Sequence, residues 1–407
     1  MEIKNKNTFS EFLNKAIVIL LVTQIITVNL SIAISSIAFG IWIGLWLIQL
    51  IMDKKLNYDI RLFREIKLIN IFVILYIFFE IFSRFFAVYP DGAFLNLKRL
   101  LLFLIFYVSI IKILDLKTLY KILIINICAL SLISVYELIR YSLKFGQLIN
   151  QMPFSEIRID YFNYPLTIGE IKMLSFFSVF PLLFIKEKII FERKYLVLIL
   201  LPVFISMILT QSRNVFLAMF ICFIIYGIIA NRKFLVTFIL ILVLSAIFLP
   251  SAMTSRISSI ADINHSSNSA RISMWIVGLQ MFADHPFTGI ADSHIKEIYE
   301  TYKTPESNAE GVHLHSNFIM ILATTGIFGF ISYIGMFLII FLKQIKYYRN
   351  TGNPINKMLM LGSILVMISF HISGIFEWSF GDHEVMTVFF FLIAVPLIIF
   401  KYDKTLT

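Results

Sequence analysis

The chain is predicted to be an all-α polytopic integral membrane protein, on three observations. It is 59% hydrophobic and only 15% charged, where soluble proteins carry about a quarter charged residues; its mean hydropathy of +0.87 is far from theirs. Apolar runs recur from end to end, each close to the roughly 17–25 residues that a helix needs to cross a bilayer. Lys and Arg gather between alternate runs: the segments assigned to one face hold 23 of the 35, the bias that retains loops in the cytoplasm. That placement also accounts for the net charge of +10 without nucleic acid as a partner.

About twelve spans are expected. A polar tail to residue 14 leads into an apolar stretch, 16–52, long enough for two spans turning near 29–36; its first run reads as a retained helix, not a cleaved signal. The basic patch Lys54, Lys55, Arg61, Arg64 and Lys67 marks an inner loop. Spans follow over 68–85, 97–114, 119–139, 162–185, 195–209, 214–230 and 234–249, then 318–342, 358–375 and 385–400 after a long polar interval. Both termini then lie inside. Cys128 and Cys222, each within an apolar run, read as core packing. Lys98 and Arg99, at the outer end of the fourth span, read as interfacial anchors, with a third phosphate contact as the alternative, and Lys172 stands alone within a span. One membrane domain, 1–407, is expected, with a large outer loop, 250–317, between spans nine and ten.

That loop has four basic and seven acidic residues and five of the seven histidines, His265, His285, His294, His313 and His315. The chemistry is expected there. Arg213 opens the eighth span from the outside, where a guanidinium can hold an anion through paired hydrogen bonds. Arg271 begins a surface-lying amphipathic helix that continues through Trp275, Leu279 and Phe282 and ends at the Pro/Gly turn 285–289. Two arginines at one lipid–water boundary fit a multi-anionic group such as a diphosphate. His313-Leu314-His315-Ser316-Asn317 precedes the tenth span, and a histidine at a cavity mouth titrates where a general base must. A His-x-His pair also suits zinc, but no neighbouring Glu-x-x-His or cysteine supplies further ligands, so no metal or cofactor is expected. Glu377, in the last outer turn, is placed to orient a histidine or an arginine.

In that order, these elements resemble the O-antigen ligase family of envelope glycosyltransferases and the related polysaccharide polymerases. Thr210-Gln211-Ser212-Arg213 before an apolar span is similar to the family's Ser-Arg element. Arg271 with Trp275, followed by His285-Pro286 and Gly289, resembles its Arg…Trp…Asn-Pro…Gly segment. His313 to Asn317, followed by Gly326 and Gly329, resembles its His-Asn…Gly-x-x-Gly element, with Ser316 inserted between His315 and Asn317. Gly374-Ile375-Phe376-Glu377 closes the set. The first 200 residues match in topology alone.

The resemblance implies a bacterial inner-membrane, multi-pass transferase with its active site on the periplasmic face. The donor would be a glycan on undecaprenyl diphosphate, its diphosphate held by Arg213 and Arg271. His315 would be the base, His313 its substitute, and Glu377 and Asn317 supporting residues. The acceptor would be a lipid A–core hydroxyl. A polymerase takes a second lipid-linked glycan instead; the Gly-Ile-Phe-Glu element and the one dominant outer loop favour the ligase. A transporter of lipid-linked glycan ranks lower, since neither inverted repeats nor a row of intramembrane charges is evident.

Overall fold

The computed structural model describes residues 2–53, 60–152, 156–187, 192–248, 262, 266–303 and 311–406. His265, Lys54, Lys55 and Lys188 lie outside the described residues, as do large parts of the expected outer loop.

Fourteen α-helices run through the described residues: α1 Glu2–Thr27, α2 Ile32–Asp53, α3 Ile60–Phe85, α4 Phe103–Lys112, α5 Leu116–Leu148, α6 Pro165–Val179, α7 Arg193–Leu209, α8 Arg213–Ile229, α9 Arg232–Phe248, α10 Ser266–Asp284, α11 Ile295–Tyr302, α12 Asn317–Asn350, α13 Pro354–Phe376 and α14 His383–Tyr402. Eight of the apolar segments, α1, α2, α3, α5, α6 with its extension to Phe184, α12, α13 and α14, are long and apolar enough to cross a membrane. The other four expected spans fall on shorter pieces. α7, α8 and α9 have 17 residues each, about 26 Å of helix. The fourth is a tight 3₁₀ turn, Leu95–Leu102, running into the ten-residue α4. The expected outer loop at 140–161 is partly helical, because α5 continues to Leu148.

Local chemistry sets several of these boundaries. Asp115 caps α5 by accepting from the Thr118 N–H at 2.7 Å, and Asn353 caps α13 ahead of Pro354. Asp382 caps α14 by accepting from the N–H groups of Glu384 and Val385. Each cap satisfies amides that a helix start leaves without partners. α6, α13 and α14 are mostly buried and form the centre, whereas α1, α2 and α3 turn most of their side chains outward, as lipid-facing helices do.

α12 breaks at Gly326, where φ is +68°. A break inside a membrane helix frees backbone groups that need partners. The turn after α10 supplies them: Ile327 donates to the Pro286 carbonyl at 2.8 Å, and Ile290 and Ala291 donate to Ala323 and Thr324 at 3.0 and 3.1 Å. The turn 285–289, a plain loop by sequence, is therefore docked into a transmembrane helix. Gly289 and Gly326 permit the contact, since a Cβ on either would lie within 3 Å of the opposing backbone.

Two groups of intramembrane charges are paired. Lys172 meets Glu137 and the Ser206 hydroxyl. Glu80 and Arg84 of α3 join Arg99 and Asp292 in one buried network, with the Tyr76 hydroxyl donating to Glu80 at 3.1 Å. Arg99 is thus a half-buried ion-pair residue held by two buried carboxylates, which corrects its reading as an interfacial anchor. The i, i+4 pair Glu80 and Arg84 within an apolar run was the available signal, because charges at that depth need a partner. Both cysteines are free, Cys222 buried and Cys128 half-buried.

Candidate active site

His313, Leu314 and His315 form the irregular step that leads into α12. Leu314 turns into the apolar packing of α10, and the imidazoles of His313 and His315 lie together near Glu377. Leu314 is fully buried among Met274, Val277 and Met281 of α10 and Ile290, Ile295 and Tyr299 beyond it. α10 approaches closely because residue 278 is glycine: a Cβ there would lie 2.8 Å from Leu314 and 2.5 Å from Ile319. Burying a leucine fixes this step by about 1.5–3 kcal/mol. The two rings stand 4.1 Å apart.

His315 has φ +43°, a left-handed conformation that costs a non-glycine residue of order 1–3 kcal/mol and marks a geometry held by its surroundings. Its carbonyl accepts from the Trp275 indole N–H at 3.3 Å. Its Nδ1 lies 3.1 and 3.2 Å from the two Glu377 oxygens. A proton on Nδ1 directed at the carboxylate leaves Nε2 as the free acceptor.

Glu377 follows the end of α13 and collects three side-chain partners, besides the Trp378 N–H that donates to it at 3.2 Å. Besides His315, its carboxylate lies 4.0 Å from His313 Nδ1 and 3.9 Å from Arg271 Nη2. Burial would raise its pKa, but the hydrogen bond from His315 and the charges of His315, His313 and Arg271 bring it below the ordinary carboxylate range. Burial, reinforced by His315, pushes His313 down from the ordinary histidine value. Burial lowers the Arg271 guanidinium too, and Glu377 opposes that effect.

Asn317 holds the turn that carries Glu377. Its side-chain carbonyl accepts from the Phe380 N–H at 2.9 Å, and Gly374 leaves room for its amide. Arg213 starts α8 and is half-buried. The next residue, Asn214, donates to Ser373 at 2.7 Å and to Glu170 at 2.9 Å, which ties the start of α8 to α13 one turn before Glu377. The structure thus brings His313, His315, Glu377 and Arg271 into one cluster, with Asn317 beneath its turn, while for Arg213 the tie to this region is that of its neighbour Asn214. Sequence reading passed over Asn214, Ser373 and Glu170.

His313, His315 and Glu377 offer three ligand atoms within 4.8 Å of one another, a donor set of the kind that holds a divalent cation. The third ligand comes from 62 residues away in sequence, which is why spacing did not reveal it. Arg271 competes for the same carboxylate, and its fixed positive charge opposes a second cation there.

Residues 196–334 match the O-antigen ligase family. The matched stretch runs from α7 into α12 and includes Arg213, Arg271, His313, His315 and Asn317, while Glu377 lies beyond it. The family consists of membrane glycosyltransferase-like ligases and polymerases. No curated protein matches the chain.

Proposed function

We propose that the protein is a metal-independent, inverting glycosyltransferase that moves a polysaccharide from undecaprenyl diphosphate to a lipid A–core hydroxyl at the periplasmic face of a bacterial inner membrane. The observation that carries this reading is the contiguous set Arg271, Glu377 and His315, a cation for a diphosphate beside a carboxylate-oriented base. Nε2 of His315 takes the acceptor O–H proton, and the acceptor oxygen attacks the anomeric carbon. The bond from that carbon to the diphosphate oxygen breaks, with its electron pair leaving on the diphosphate. Arg271 and Arg213 stabilise the charge that grows there. Glu377 holds the imidazole in one tautomer and favours the imidazolium as it forms. The lipid diphosphate is itself a good leaving group, so the step needs neither nucleotide sugar nor metal. Placing Glu377 in the closing Gly-Ile-Phe-Glu element favours the ligase over the polymerase.

The test is reconstitution of the purified protein with undecaprenyl-diphosphate glycan and lipid A–core, products being resolved by gel. Sugar should move to lipid A–core. His315→Ala should abolish transfer while donor binding persists, and Arg271→Ala or Arg213→Ala should weaken use of the donor. Lengthened lipid-linked glycan would make the protein a polymerase, and near-normal turnover by His315→Ala would remove the catalytic assignment.

A further inference from the structure

A cavity of about 900 Å³ meets the histidine pair at His313 and Trp378, and neither Arg213 nor Arg271 lines it. Its wall divides by chemistry. Ile32 and Phe39 of α2 and Leu101 of the Leu95–Leu102 turn make an apolar side, next to a helix that turns most of its residues outward. Lys98, Lys296 and His383 make a polar side together with His294, which faces the Glu297 carboxylate at 3.8 Å. Lys98 and Lys296 are exposed, and neither ammonium has a carboxylate partner among the described residues. The ring nitrogen Nε2 of His383 is buried without a hydrogen-bond partner among them. The other cation on this wall, Arg99, is closed off by Glu80 and Asp292 and stacks over Trp378. The network therefore fixes the cavity floor and leaves the two lysines to a ligand.

Resting on the proposed transferase reading, we infer that this cavity is the acceptor subsite and that it takes an anionic, lipid-anchored glycan. The anchor lies along Ile32, Phe39 and Leu101, phosphate groups meet Lys98 and Lys296, and the acceptor hydroxyl reaches the histidines from the side of His313. The donor diphosphate stays with the arginines, so the two substrates approach one base from different walls. This arrangement removes the like-charge conflict of placing two phosphorylated lipids in one pocket.

The experiment uses the full chain in nanodiscs and compares wild type with the double variant Lys98→Gln/Lys296→Gln, whose sites are exposed and outside the catalytic cluster. Binding of lipid A–core, dephosphorylated lipid A–core and undecaprenyl-diphosphate glycan is measured, together with the KM of each substrate in transfer. Loss of two exposed phosphate contacts should weaken the acceptor by roughly tenfold, with the donor KM and kcat within about twofold. Wild type and variant should bind the dephosphorylated acceptor alike. If the affected ligand is a second molecule of lipid-linked glycan, the subsite stands and its source is the donor pool. If the variant loses lipid A–core binding while wild type transfers to no acceptor, the subsite stands and the transferase reading fails. Unchanged binding of both lipids, or a rise in the donor KM alone, overturns the assignment.

Discussion

Nδ1 of His315 lies 3.1 and 3.2 Å from the two carboxylate oxygens of Glu377, although 62 residues separate them. The relationship directs Nδ1 at the carboxylate and leaves Nε2 for the proposed acceptor. Glu377→Gln keeps the shape and removes the charge, so kcat should fall by roughly 10²- to 10⁴-fold with the donor KM changed far less. Steady-state kinetics on the reconstituted protein check this. A loss confined to KM would mean that Glu377 serves binding instead.

Leu314 anchors both histidines without touching a substrate. Leu314→Ala should destabilise the packing of α10 against α12 by about 2–5 kcal/mol and reduce transfer, whereas Leu314→Met should retain most of both. Thermal unfolding in detergent with parallel activity would show it, and an unaltered unfolding midpoint for Leu314→Ala would contradict the packing account.

Gly326 has φ +68°, and a Cβ there would lie 2.7 Å from the Phe287 carbonyl oxygen. Gly326→Ala should lower the yield of folded protein and its unfolding temperature, at a cost above about 1 kcal/mol. Gly40→Ala is the control, because nothing lies within 4 Å of a Cβ at that position in α2. Equal behaviour of the two variants would remove the docking of the turn 285–289 as a constraint.

The depressed pKa values of His313 and Glu377 give the pH dependence a sign. As pH falls, the unfolded chain binds protons at these groups before the folded one does. Stability from His313 is therefore complete above its ordinary value of 6.5 and declines below it, and Glu377 adds a second decline below 4.5. Unfolding midpoints measured from pH 8 downward should drop on the acid side, with a shallower fall near pH 6 in His313→Gln. Superimposable profiles would show that His313 carries none of the linkage.

Chelation tests whether His313, His315 and Glu377 act as a metal site. With Arg271 holding a positive charge 3.9 Å from the shared carboxylate, transfer should persist after dialysis against EDTA, and added zinc should inhibit by capturing the base. Activity that vanishes on chelation and returns with a divalent ion would reverse this assignment.

The sequence by itself determined the membrane class, the order of apolar segments and the residue types able to do chemistry. Those features depend on composition, local periodicity and charge placement, which a single chain displays directly. Arg271 with Trp275 was legible because helical spacing puts the two on one side, and His313 with His315 because they are next-but-one neighbours in a single short motif. The partners were decided only by tertiary structure. Glu377 meets His315, Arg99 meets Asp292, Asn214 meets Ser373, and the turn 285–289 fills the break at Gly326. Each contact joins segments distant in sequence, and only helix packing brings them together. The same packing turned Arg99 from an anchor into a half-buried ion-pair residue, because Glu80 and Asp292 reach it from α3 and from the loop before α11.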